Sequence, residues 1–329
     1  MKRLLVAFAV MASLTLAASA QDMRDFSDDL GRTVSIPVNP QRIVSVREEQ
    51  FTAPLWELGA NLVGSAGLTD ANKNDGKPYP RGAYDLFHLT FENSGLTWIG
   101  GPNEPDFEAI AALEPDLILA PAWQQDIVEK YSAIAPTVIF DPTKDRALDR
   151  YRRIADVAGK LDEFTHRLEG YQSRVDVYRA VVADTIGDPA DVSVVVAQAS
   201  TEEGGGIAIS SNNEALGQVL HDLGFGMPQI VQDLGLGNDL ISGELLETIQ
   251  ADFMIGTYNV AWGQTPSAQN AAWDEVAPGW KDFLHAARHN QHFYIDREPM
   301  RALSFRTLEE TMSIIAANIA SRGFVPLED

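Results

Sequence analysis

Cysteine is absent from the 329 residues. That excludes a disulfide scaffold, thiolate zinc sites, iron–sulfur clusters and a cysteine nucleophile. Positive charge is scarce too: 25 Lys and Arg stand against 47 Asp and Glu, a formal net charge of −22. A phosphate backbone needs compensating cations, so nucleic acid is not an expected partner. Beyond the first twenty residues no apolar run is long enough to span a bilayer. Catalytic signatures are missing as well: no G-x-S-x-G elbow, no G-x-x-x-x-G-K-[ST] loop and no H-E-x-x-H pair. Nothing positive points to an enzyme. What the chain does have is a 45% hydrophobic fraction, ample for a core, in a length that exceeds one core. Two lobes are the expectation.

The first twenty residues read as an export signal. Lys2 and Arg3 precede an apolar run from Leu4 to Leu16, and Ala18-Ser19-Ala20 forms a small-residue cleavage site before Gln21. An uncleaved anchor is the alternative. No cysteine stands at the junction to carry a thioether-linked lipid. The expectation is a soluble periplasmic protein, not a lipoprotein.

From Gln21 onward, short apolar runs alternate with helical patterns. Strands are expected at Arg42–Val46, Leu62–Ser65, Asp116–Ala120 and Thr137–Phe140, with helical stretches at Phe51–Leu58, Asp106–Leu113 and Gln124–Ile134. Continuous apolar strands between amphipathic helices signal parallel sheets covered on both faces. A long helical tract follows from about Lys144 to Ile186, broken at Gly159. The alternation then restarts at Val192–Ala197, Ile207–Ile209, Phe253–Tyr258 and His292–Ile295, and a last helix runs from about Ser304 to Ser321. The fold class is α/β: two Rossmann-like lobes (21–159 and 187–329) with mainly parallel central sheets, bridged by one long helix (160–186).

The two lobes echo one another. Glu108 follows Pro105-Asp106-Phe107, and Glu244 follows Ser242-Gly243; each sits in the first turn of a short helix. Eight residues after each Glu, an Asp (Asp116 or Asp252) opens the next strand. A carboxylate at a helix N-terminus is favourable by about 0.3–1 kcal/mol, which explains either Glu but not their shared spacing.

Two clusters invite a chemical reading and do not support one. Gly204-Gly205-Gly206 precedes a strand, so no helix N-terminus is available to a phosphate and a turn is expected. His285, His289 and His292 have nearly metal-like spacing, but Asn290-Gln291 reads as a turn that takes the rings off one face. No metal site and no catalytic residue is expected. In open α/β sheets, ligands bind beyond the strand carboxyl ends, and in two-lobed proteins between the lobes. Those positions hold Arg47, Trp123, Tyr258, Trp262, Arg297 and Arg301. Arginine and aromatic faces together suit a flat, anionic, oxygen-rich ligand. The aromatic stretch Thr69–Thr97, which carries Arg81, Tyr84 and His88, either flanks the cleft or packs on the first lobe.

The chain resembles the periplasmic substrate-binding proteins of ABC importers for ferric siderophores, haem and vitamin B12. The resemblance rests on Asp29-Leu30-Gly31-Arg32-Thr33-Val34, Pro40-Gln41-Arg42-Ile43-Val44, Leu58-Gly59, the segment from Glu104 to Leu119, Ile134-Ala135-Pro136-Thr137 and Leu223-Gly224-Phe225. It spans essentially all of the chain after residue 20. It implies a rigid linking helix, a shallow cleft, a monomer, and a ferric siderophore that holds its own iron, with no further cofactor. It also implies that Glu108 and Glu244 meet arginines on the two subunits of an inner-membrane permease. Catecholate binders of the family use cleft arginines, and Pro299-Met300-Arg301 resembles their last-strand loop. The arginine of many hydroxamate binders is missing from Gly100-Gly101-Pro102-Asn103, which favours an anionic, catecholate-like ligand. Haem, with Tyr84 or Tyr258 as ligand, and vitamin B12 remain alternatives, as does an exported hydrolase or sensor on the same scaffold.

Overall fold

The computed structural model describes residues 21–202 and 205–328. The export-signal reading falls on residues 1–20, outside the described residues. A hairpin of β1 (Met23–Ser27) and β2 (Thr33–Pro37) opens the chain. The first lobe is built on β3 (Ile43–Ser45), β4 (Leu62–Ser65), β5 (Thr97–Trp98), β6 (Leu117–Pro121) and β7 (Thr137–Phe140). They form one sheet in the order β5-β4-β3-β6-β7, every pair parallel. Every residue of β3, β6 and β7 is buried, as a sheet covered on both faces requires.

The second lobe holds β8 (Val194–Ser200), β9 (Gly206–Ser210), β10 (Asn238–Ile241), β11 (Phe253–Tyr258) and β12 (His292–Asp296), in the order β10-β9-β8-β11-β12. Its β8-β11-β12 half is parallel, whereas β9 and β10 pair antiparallel, so this sheet is mixed. The short edge strands β5 and β10 escaped sequence reading, since neither carries a buried apolar run.

The long helical tract is two helices, Ala147–Val157 and Leu161–Ile186, separated at Gly159, where φ is +65°. The second has 26 residues, roughly 39 Å at 1.5 Å per residue. Its buried stripe of Phe164, Tyr171, Val175, Val182 and Ile186 lies on one face. The C-terminal helix Phe305–Ala320 packs along it, and Phe305 meets Tyr151, Phe164 and Tyr171 at 5.1, 5.3 and 6.0 Å between ring centroids. One apolar cluster therefore runs from Ile43 and Phe51 through the linking helix to Val194 and Phe253. Polar pins reinforce it. The Glu57 carboxylate of the first lobe accepts from the backbone N–H groups of Phe305 and Arg306, capping a helix of the second, while Tyr151 donates to it at 2.7 Å.

The echo between the lobes has a structural counterpart. Asp106 and Ser242 are N-caps, accepting from Glu108 N and Glu244 N respectively. Asp116 accepts from the backbone of Gln41 and Arg42, just before β3. Asp252 accepts from Ser193 N and Oγ, just before β8. In both lobes the Asp ties the start of its own strand to the start of its parallel neighbour.

Candidate functional site

The carboxyl ends of β3, β11 and β12 bring the two lobes into polar contact. After β3 the chain turns into one π-helical turn, Glu48–Thr52, which buries Glu48 and Glu49 side by side. Arg47 Nη2 donates to Glu49 Oε2 at 2.7 Å, and its guanidinium lies 5.4 Å from the Trp123 ring centroid. From the second lobe, Arg301 Nε donates to Glu49 Oε1 at 2.8 Å. Arg81 reaches the other way: its Nε donates to Glu298 Oε1 at 2.7 Å, its Nη2 donates to Glu298 Oε2, and its Nε sits 3.1 Å from Glu49 Oε1. Asn259 Nδ2 donates to Glu298 at 3.0 Å, and Lys73 Nζ, paired with Asp85 at 2.8 Å, stands 3.8 Å from it. Two ion pairs thus cross the cleft in opposite senses.

Trp262 roofs this cluster. The Arg81 and Arg301 guanidiniums lie 5.9 and 5.8 Å from its ring centroid. Trp262 is 61% exposed and Trp123 47% exposed, so each lobe offers an open indole face beside the buried charges. Exposed aromatics over fixed guanidiniums can stack on a flat ligand while the arginines meet its oxygens.

Burial and charge pull in opposite directions here. Burial raises the Glu49 carboxyl, but Arg301, Arg47 and Arg81 together hold it below the ordinary carboxylate value. Burial raises Glu298 as well, and the Arg81 and Asn259 hydrogen bonds bring it net below. Glu48 is different. It is fully buried, neither carboxylate oxygen has a hydrogen-bond partner, and burial pushes it up to about 7 despite the nearby Arg47.

The structure brings Arg47, Trp123, Arg81, Trp262 and Arg301 together. Arg297 stands aside, with only a 3.9 Å approach to Glu214. Glu214 has a φ of +54°, rare for a residue with a side chain, and an unpartnered buried oxygen. Tyr258 joins a different space, a cavity of about 240 Å³ that it shares with Tyr294, Met300 and Ile314 behind β12. Tyr84 packs on Tyr79 at 4.9 Å between centroids. A cavity of about 660 Å³ opens elsewhere, between Lys144–Asp149 and Phe225–Leu236, and holds none of the expected residues. The strand ends, where chemistry converges, are the better site.

The Thr69–Thr97 stretch does both things left open for it. Ala83, Leu86 and Leu89 pack with Ala53 and Ala302, while Arg81 and Lys73 face the ionic cluster. Sequence reasoning missed the carboxylates. A signal was present, since Glu48-Glu49 follow Arg47 and Glu298 follows Arg297. The three histidines do not form one cluster: the His285 and His289 rings lie 4.5 Å apart and His285 meets Val325 O at 2.8 Å, whereas His292 is lodged between Trp280 and Tyr294 and is pushed down to about 4 by desolvation. Among the described residues no group of three or more His, Asp or Glu could hold a metal.

Residues 60–299 match the sequence pattern of the periplasmic binding protein family. The chain belongs to that family. A curated relative in Bacillus subtilis, named "Probable siderophore-binding lipoprotein YfiY", is 29% identical over 212 residues, 64% of this chain and 59% of the relative. The Fe(3+)-citrate-binding protein YfmC of the same organism is 29% identical over 167 residues, 50% of this chain and 49% of the relative. The chain thus spans between about half and three fifths of the length of these relatives. The FhuD protein from S. pseudintermedius shares the fold, with a TM-score of 0.72 at 21% identity over 91% of this chain and 99% of that one. The protein is a binding protein rather than an enzyme. Among the described residues of this periplasmic binding protein, no helix is long and apolar enough to cross a membrane.

Proposed function

We propose that this periplasmic binding protein captures a ferric siderophore between its lobes and delivers it to an inner-membrane ABC permease. The observation that carries the reading is the cross-lobe set of Arg47, Arg81 and Arg301 under the open indoles of Trp123 and Trp262. Guanidiniums and indoles in that arrangement receive catecholate-like groups, flat and rich in anionic oxygen. The iron stays with the siderophore, and the protein supplies no cofactor. The relatives' names point the same way. The sequence has no cysteine to carry a thioether lipid, unlike the relative named as a lipoprotein, and the reading takes from the family resemblance a soluble periplasmic monomer.

Titration with iron-loaded siderophores, followed by intrinsic tryptophan fluorescence, tests the site. Binding quenches Trp123 and Trp262, and Arg47→Ala weakens the best ligand about ten- to hundredfold, the size of one lost charge-assisted contact. Parent-like affinity in Arg47→Ala and Arg301→Ala sinks the site assignment. Absence of binding across the panel sinks the siderophore reading.

Glu108 and Glu244 are both exposed, one on each lobe, and each N-H is capped from its own chain. They are the proposed permease contacts, setting orientation and association rate through charge pairing. Glu108→Ala combined with Glu244→Ala leaves ligand affinity intact and stability within about 1–2 kcal/mol, while uptake through the cognate transporter falls sharply. Normal uptake by the double variant rules the docking role out.

A further inference from the structure

The cleft's charge is nearly balanced by its own carboxylates, and that balance constrains the ligand. The cations in the ionic cluster are Arg47, Arg81, Arg301 and Lys73. Facing them are Glu49, Glu298 and Asp85, with Glu48 as a fourth acid that is partly protonated near neutrality. At its margin Arg297 approaches Glu214, whose carboxyl burial raises above its ordinary value, and Asp296 accepts from Glu298 N at 3.0 Å. Within the cluster itself, four cations against three to four anions leave a charge between +1 and zero, and the marginal Asp296 lowers the balance rather than raising it.

Solvent does little to screen these groups. The side chains of Glu49, Glu298 and Arg81 are 2%, 7% and 9% exposed. A ligand that drew the arginines away would leave buried carboxylates uncompensated, and one that left the pairs intact would place its own charge beside those carboxylates. Either cost grows with the ligand's negative charge.

We infer that Glu49 and Glu298 determine ligand specificity by charge, so that the cleft accepts ferric complexes of charge near −1 and discriminates against trianionic ones. This rests on the siderophore reading and narrows it. Within catecholates, iron(III) with two catecholate groups carries −1 and with three carries −3. The two also differ in ring number and in the two iron positions that the bis-catecholate leaves to water. The part of the discrimination due to charge is therefore the part that changes when Glu49 or Glu298 loses its charge. Glu49 pairs with Arg47, Arg81 and Arg301, and Glu298 faces Arg81, Asn259 and Lys73, so each carboxylate touches more than one of the cations a ligand would meet.

The experiment measures affinity for two probes: the ferric complex of a tetradentate bis-catecholate and that of a hexadentate tris-catecholate. The parent protein is compared with Glu298→Gln and Glu49→Gln. The glutamines keep the shape and one hydrogen-bonding oxygen while removing the charge, and thermal denaturation confirms that each variant is folded. The parent is expected to bind the monoanion at least tenfold more tightly, and either variant to shift that ratio tenfold or more toward the trianion. A parent preference for the trianion, or a ratio unchanged in both folded variants, overturns the inference and leaves the carboxylates a purely structural role. If neither complex binds the parent, it is the siderophore reading that fails, and the charge inference falls with it.

Discussion

Glu48→Gln is expected to stabilise the protein by about 3 kcal/mol at pH 8 and by less than about 1 kcal/mol at pH 5. The reason is a carboxyl in the wrong solvent. Glu48 has no exposed surface and neither oxygen has a hydrogen-bond partner, so burial penalises its charged form and pushes it up to about 7 from 4.5. Arg47 and Arg81 offset part of that penalty, and the adjacent Glu49 adds to it. Between these two values the folded protein keeps a proton that the unfolded chain has released, so stability falls as pH rises from 4.5 toward 7. Above about 7 the deficit is constant. Glutamine occupies the same volume without ionising, and removes the deficit only where it exists. Urea denaturation of both proteins at the two pH values measures the difference. An equal gain at both, or a loss at pH 8, contradicts a buried, unpaired Glu48.

Arg81→Met is expected to cost about 3–5 kcal/mol at neutral pH, the size of a broken buried ion pair. Arg81 is 8% exposed, donates to both Glu298 oxygens and lies 3.1 Å from Glu49. Methionine restores the apolar stem but leaves Glu298 with only Asn259 and the more distant Lys73. In the parent, Arg81 outweighs burial and holds Glu298 below its ordinary value, so this carboxylate contributes stability above pH 4.5 and loses it as pH falls through its depressed pKa. Without Arg81 burial dominates and the carboxyl titrates higher, so the cost shrinks as the pH is lowered toward 4.5. Adding Glu298→Gln to Arg81→Met should recover much of the loss, because the uncompensated charge goes with it. Strictly additive losses in the double variant would mean that the pair is not coupled.

Much of the architecture was legible because it follows from local pattern. The runs at Leu117–Pro121 and Thr137–Phe140, apolar but for Thr137, have no stable place except a sheet covered on both faces. The break at Gly159 was equally plain, since its positive φ suits glycine at a helix end. The antiparallel edge of the second sheet was not legible: β10 is mostly exposed and reads like loop, and pairing direction is decided by the chain's path. At the site, strand-end logic picked out Arg47, Trp123, Trp262 and Arg301, which lie together in the structure, and Arg297, which stands aside; Arg81 belongs to the aromatic 69–97 stretch instead. The same logic read Tyr258 into the cleft, whereas the structure places it in the separate cavity behind β12.

Taken alone, the sequence determined the α/β class, the two lobes, the linking helix and which strand ends carry cations and aromatics, because these depend on residue type and short-range spacing. Tertiary structure decided what the cations meet. Arg81 and Glu298 are 217 residues apart in the chain, and Arg301 and Glu49 are 252 apart. Spacing along the chain carries no information at such separations. Only the packing of Phe305 against Tyr151 and the linking helix, with Glu57 capping the C-terminal helix, brings the two lobes close enough for those charges to pair. Burial then turns what reads as surface charge into a nearly neutral, unscreened ionic cluster.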